Sequence, residues 1–135
     1  MKTYAYFLTN YLVSLVSKRQ LVSITYFGAV ALVCYVIQLH LMELRTDGGS
    51  FILNGAPNFL AVPITCAFAF LATSGNKSTT AFFCALGIIG YEFIQLDIDE
   101  RTFDVVDIVF SVFGYGFMHF AIAIEQRIIK FLDET

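Results

Sequence analysis

The chain has 135 residues, of which 58% are hydrophobic and only 14% charged, with a mean hydropathy of +0.74. That is too apolar for an ordinary soluble domain and points to an all-α, multi-pass membrane bundle forming one domain, 1–135. The net charge is −3 and the eight Lys and Arg are scattered singly or as one pair, so no basic face exists to hold a nucleic acid.

From Tyr4 to Ser17 the polar residues Asn10, Ser14 and Ser17 recur at helical spacing opposite Leu8, Tyr11, Leu12 and Leu15. This predicts an amphipathic helix over 1–19, too short to span. Lying in the membrane interface suits it, with Lys18 and Arg19 anchoring its end among headgroups; packing against the bundle is the alternative. The segment has no small-x-small cleavage site, and a cleaved signal peptide is not expected.

Residues 21–39 are uninterrupted by charge. At ~1.5 Å per residue they match a hydrocarbon core of ~30 Å, giving the first span. His40, Glu43, Arg45 and Asp47, then Gly48-Gly49, read as a surface loop. Pro57 suits the first turn of a helix, which places the second span at 59–73, with a bend expected at Pro63. Ser74-Gly75-Asn76-Lys77-Ser78 reads as a tight turn, and 80–96 as the third span, with Gly87 and Gly90 permitting close helix contact.

The fourth span covers 105–124, followed by a charged amphipathic tail over 125–135. Along it Asp104, Asp107, Ser111, Gly114 and Met118 fall on one stripe, which must face protein because the rest of the helix is Val, Ile, Phe and Ala. Cys34, Cys66 and Cys84 each sit inside an apolar run without a neighbouring ligand residue. They read as small buried residues, and neither a metal nor a cofactor is expected.

Four spans put both termini on the same side. With that side cytoplasmic, the inner flanks hold Lys2, Lys18, Arg19, Lys77, Arg127 and Lys130, against Arg45 and Arg101 outside. This bias predicts a cell-membrane protein with cytoplasmic termini.

What apolar packing does not explain is the stretch from Tyr91 to Asp107. Glu92 and Gln95 share a face near the end of the third span, and Asp104 and Asp107 share one at the start of the fourth. A short loop carrying Arg101 makes these spans antiparallel neighbours, so three carboxylates, an amide and a guanidinium converge at the outer boundary. One reading is a structural clasp, in which Arg101 neutralises Asp104 or Glu92, Asp104 caps the fourth helix and Gln95 closes an interhelical hydrogen bond. The other is a ligand-binding polar cavity lined by Glu92, Gln95, Arg101, Asp107 and Asn58, because one arginine cannot satisfy all the acids. His119 stands about 18 Å further along the helix and belongs to neither; an interhelical hydrogen bond is expected for it. No Ser-His-Asp grouping, zinc motif or phosphate loop is present.

The run Glu92-x-x-Gln95, a short loop, Arg101-x-Phe103-Asp104-x-x-Asp107 and then Gly114-x-Gly116 resembles the signature of the VanZ-like membrane proteins. The likeness covers about half the chain. Many members carry an Asp-x-x-x-Asn pattern where this chain has Asp107 and Ser111, and some carry Asp-Lys-x-x-His where it has Asn54-Gly55-Ala56-Pro57-Asn58. The resemblance implies a cell-envelope protein, linked in one branch to tolerance of lipoglycopeptide antibiotics, and the missing acid, lysine and histidine favour binding over catalysis.

The expected function is therefore non-enzymatic engagement of a lipid headgroup or lipid-linked envelope precursor by Glu92, Gln95, Arg101, Asp104, Asp107 and Asn58. Two alternatives stand beside it. One is a small partner subunit or immunity-type protein, packed on another protein or on its own copies through Gly87, Gly90, Gly114 and Gly116. The other is an enzyme acting on a lipid-linked substrate, with Glu92 or Asp107 as general base.

Overall fold

A computed structural model describes residues 17–44, 51–95 and 104–134. They form four helices, α1 (Lys18–Leu44), α2 (Phe51–Ala72), α3 (Lys77–Ile94) and α4 (Val105–Glu134), and no strand occurs among them. The all-α expectation is met. Most of the segment expected as an N-terminal amphipathic helix, the loop over 45–50 and Arg101 lie outside the described residues.

The helix boundaries differ from the sequence reading, each for a local reason. α1 begins before residue 21 because Ser17 and Gln20 form a reciprocal cap: the Gln20 backbone N–H donates to Ser17 Oγ at 3.2 Å, and the Ser17 N–H to Gln20 Oε1 at 2.9 Å. Lys18 and Arg19 thus open α1 rather than close the segment before it. α3 begins at Lys77 and not at residue 80, because Asn76 Oδ1 accepts from the N–H groups of Ser78 and Thr79 at 2.9 and 3.2 Å. α4 does not stop near 124. It runs unbroken to Glu134, and the expected separate tail is its last turns.

α2 departs furthest from expectation. It starts at Phe51, so Pro57 lies inside it together with Pro63 instead of marking its first turn. A proline has no N–H for the carbonyl four residues back, which for Pro63 is that of Phe59. α4 passes close to that carbonyl: a Cβ built on Gly114 would stand 2.5 Å from Phe59 O and 3.0 Å from Val62 Cβ. Gly55 is similarly covered by the Phe110 ring. Of the glycines expected at helix contacts, Gly87, Gly90 and Gly116 instead meet nothing within 4 Å of a built Cβ.

α2 is the central element, packed against α4 most extensively and also against α1 and α3, whereas α1 touches α4 only slightly. The core between them contains Phe27, Val62, Cys66, Ala67, Ala81, Ala85, Met118, Ala121 and Ile122. Phe27 is held edge-on to Phe70 at 4.8 Å, and Phe59 meets Phe117 at 5.7 Å. Outside this core the bundle turns large apolar side chains outward: Leu32, Phe68, Phe83, Phe113 and Phe120 are each more than 60% exposed. Such a surface suits lipid and not water. Three helices, α1, α2 and α4, are long and apolar enough to cross a membrane. Cys34, Cys66 and Cys84 are free thiols, the first two buried and the third partly so.

Candidate functional site

Polar side chains gather at the two ends of the bundle. At one end α2 contributes Asn58, α3 contributes Glu92 and Gln95, and α4 contributes Asp104, Asp107 and Ser111. Asn58 follows Pro57 inside α2 and reaches α3. Its Nδ2 donates to Glu92 Oε1 at 3.3 Å. Glu92 is only 3% exposed, and its Oε2 is buried without a hydrogen-bond partner among the described residues.

Among the described residues the rest of the cluster does not supply a cation. Gln95, buried at the C-cap of α3, faces the same carboxyl, and Asp107 and, more weakly, Asp104 lie within electrostatic reach of it. Asp104 caps α4: its Oδ1 accepts from the Val106 N–H at 2.8 Å and its carbonyl from the Asp107 N–H at 3.1 Å. Ser111, fully buried, turns back to donate to the Asp107 carbonyl at 2.8 Å. The capping role expected for Asp104 is thus present. Arg101 lies outside the described residues, and the remaining site residues Asn58, Glu92, Gln95, Asp104 and Asp107 come together.

A buried carboxylate oxygen with no donor is costly, by several kcal/mol in apolar surroundings. The arrangement can therefore accept a hydrogen bond from an ammonium, a hydroxyl or a proton delivered to Glu92. Among the described residues its one hydroxyl, that of Ser111, is donated to the Asp107 carbonyl. Among the described residues no group of three or more His, Cys, Asp or Glu could hold a metal ion.

The opposite end carries a second cluster that the sequence reading missed. Lys77, at the start of α3, forms a salt bridge with Glu125 of α4 and donates to Ser23 Oγ of α1 at 2.7 Å, with its ammonium 5.1 Å from the centre of the Phe27 ring. Glu125 is 1% exposed. Sequence reasoning placed it in a solvated tail, yet the signal was present: the stripe Ser111, Gly114, Met118 continues through Ala121 and Ile122 to Glu125. Nearby, Arg19 pairs with Asp133 at 2.8 Å and Lys18 donates to the Leu132 carbonyl at 3.2 Å. His119 is exposed and stacks edge-on against Tyr115 of its own helix at 4.6 Å. The interhelical hydrogen bond expected for it is replaced by that contact, because α4 turns this residue away from the bundle.

No family model matches the chain, and neither does any curated protein or solved structure.

Proposed function

We propose that the chain is a multi-pass cell-membrane protein of the VanZ-like type, with all four helices crossing the bilayer and both termini in the cytosol. Its acidic end binds the donor-bearing headgroup of a lipid or lipid-linked envelope precursor at the outer face. The observation that carries this reading is Glu92 Oε2, a buried acceptor left open beside Asn58, Gln95 and Asp107. α3 is the shortest helix and carries Lys77 near one end and Glu92 near the other, ~22 Å apart by the helical rise. Its charges would then sit at the two boundaries, with apolar residues between them.

The test is binding of amine-bearing and polyhydroxyl lipids to the purified protein in mild detergent, read by native mass spectrometry. Glu92→Gln, which removes the charge and keeps the shape, should lose the bound headgroup while the protein stays folded. Retention of every lipid by Glu92→Gln and by Asp107→Asn would leave the cluster as a clasp alone. A second reading, packing against a partner protein or another copy, is favoured by Gly87, Gly90 and Gly116, which have open space where a neighbouring helix could sit. Co-purification of a stoichiometric partner, lost in Gly90→Leu, would support it.

A further inference from the structure

At the Lys77 end the bundle opens into a cavity of about 640 Å³. Its charged lining is Arg19, Lys77 and Glu125; with Asp133 paired to Arg19 and Lys18 next to it on the Leu132 carbonyl, three cations meet two carboxylates, which leaves a surplus of one positive charge. Arg19 spends an N–H on Asp133, and Lys77 spends two on Ser23 and Glu125. A guanidinium has five donors and an ammonium three, so both retain N–H groups for an acceptor placed between them.

A second cavity of about 430 Å³ lies along the seam of α1 and α2, with an apolar lining that includes Gly28, Ala31, Tyr35 and Phe68. The two spaces meet at Leu71, which lines both. On α1 the joint is continuous as well: Ile24 of the first is followed on the same face by Gly28, Ala31 and Tyr35 of the second. From Ser23 to Tyr35 the seam runs ~18 Å along the helix axis. A charged cup at the end of a membrane bundle thus leads directly into an oily channel running down its side.

We propose that this composite holds one anionic phospholipid, its phosphodiester on Arg19 and Lys77 and an acyl chain along the groove floored by Gly28 and Ala31. The surplus charge matches a single phosphodiester, and the continuous apolar groove favours a lipid over a free anion. The site is separate from the Glu92 cluster, at the other end of α3.

The test uses the full chain in non-ionic detergent, titrated with phosphatidylmethanol, an anionic phosphodiester whose headgroup has no donor for Glu92, with phosphatidylcholine or with inorganic phosphate, and read by native mass spectrometry. One phosphatidylmethanol should bind in preference to the zwitterionic lipid. Arg19→Gln, at an exposed position, should weaken it about tenfold or more. Gly28→Leu should weaken it as well, because Gly28 lines the groove and a Cβ there meets nothing within 4 Å, so the new side chain starts in the space the acyl chain would use. Glu92→Gln should leave it unchanged, which keeps this result distinct from that for the acidic end. Equal binding of both lipids, or indifference to Arg19→Gln, would overturn the charged half. Binding that survives Gly28→Leu, or phosphate that competes as well as the lipid, would overturn the lipid.

Discussion

Lys77 and Glu125, 48 residues apart in sequence, close one end of the bundle by joining the start of α3 to the last third of α4, with Ser23 of α1 as a third partner. Because Glu125 is almost wholly buried, removing its cation strands a charge in the interior. Lys77→Met should cost about 3–5 kcal/mol. The double variant Lys77→Met, Glu125→Leu should recover most of that loss, since an apolar pair of similar volume avoids the desolvation of both ions. Thermal unfolding in detergent measures both; equal losses in the single and double variants would mean that the pair is not what holds these helices.

At the opposite end Asn58 donates to Glu92, with its amide 3.3 Å from Oε1. Asn58→Ala removes that donor from Oε1 of a carboxyl whose Oε2 already lacks one among the described residues, and should destabilise by about 1–3 kcal/mol. Glu92→Gln should behave differently. It relieves the repulsion from Asp107 and supplies a donor of its own, so the unfolding temperature should hold or rise while headgroup binding falls. A fall in both would mark Glu92 as structural.

Gly114 and Gly116 predict opposite outcomes for the same substitution. Gly114→Ala drives a methyl into the Phe59 carbonyl and Val62, forcing α2 and α4 apart at about 1–3 kcal/mol. Gly116→Ala meets open space and should stabilise α4 by roughly 0.5–1 kcal/mol through helix propensity. Comparison of the two unfolding temperatures separates close approach from mere smallness.

The proposed orientation has a direct readout. In a cysteine-free background, Asp104→Cys should react with a membrane-impermeant thiol reagent applied to intact cells, and Gly75→Cys only after the cells are opened. The reverse pattern would place the acidic cluster in the cytosol and remove the envelope-precursor reading.

The apolar runs and the α4 stripe were legible because helical periodicity survives in any environment: Ser111, Gly114 and Met118 are buried as their spacing implied. Asp104 as a cap was legible for the same reason, being a local interaction. Helix starts were less so. Pro57 is a good first-turn residue, but the turns before it pack on α4, Gly55 under the Phe110 ring and Phe51 against its edge, and the helix starts at Phe51. The role of Glu125 was hidden because its partner lies 48 residues away, and a charge next to Arg127 and Lys130 looks solvated until α3 is placed beside it. His119 shows the converse, a polar residue in an apolar run that faces outward.

The ties that fasten α1 to α4, Arg19 with Asp133 and Lys18 with the Leu132 carbonyl, are solvent-reachable. Exposed ion pairs fade as the Debye length shrinks, from ~10 Å at 0.1 M to ~3 Å at 1 M salt. Concentrated salt should therefore loosen the outer contact of α1 with the end of α4 first, while the buried Lys77–Glu125 pair is screened much less. The Asp104 cap and the Asn58 amide, which pair no opposite charges, would keep the far mouth of the bundle shut.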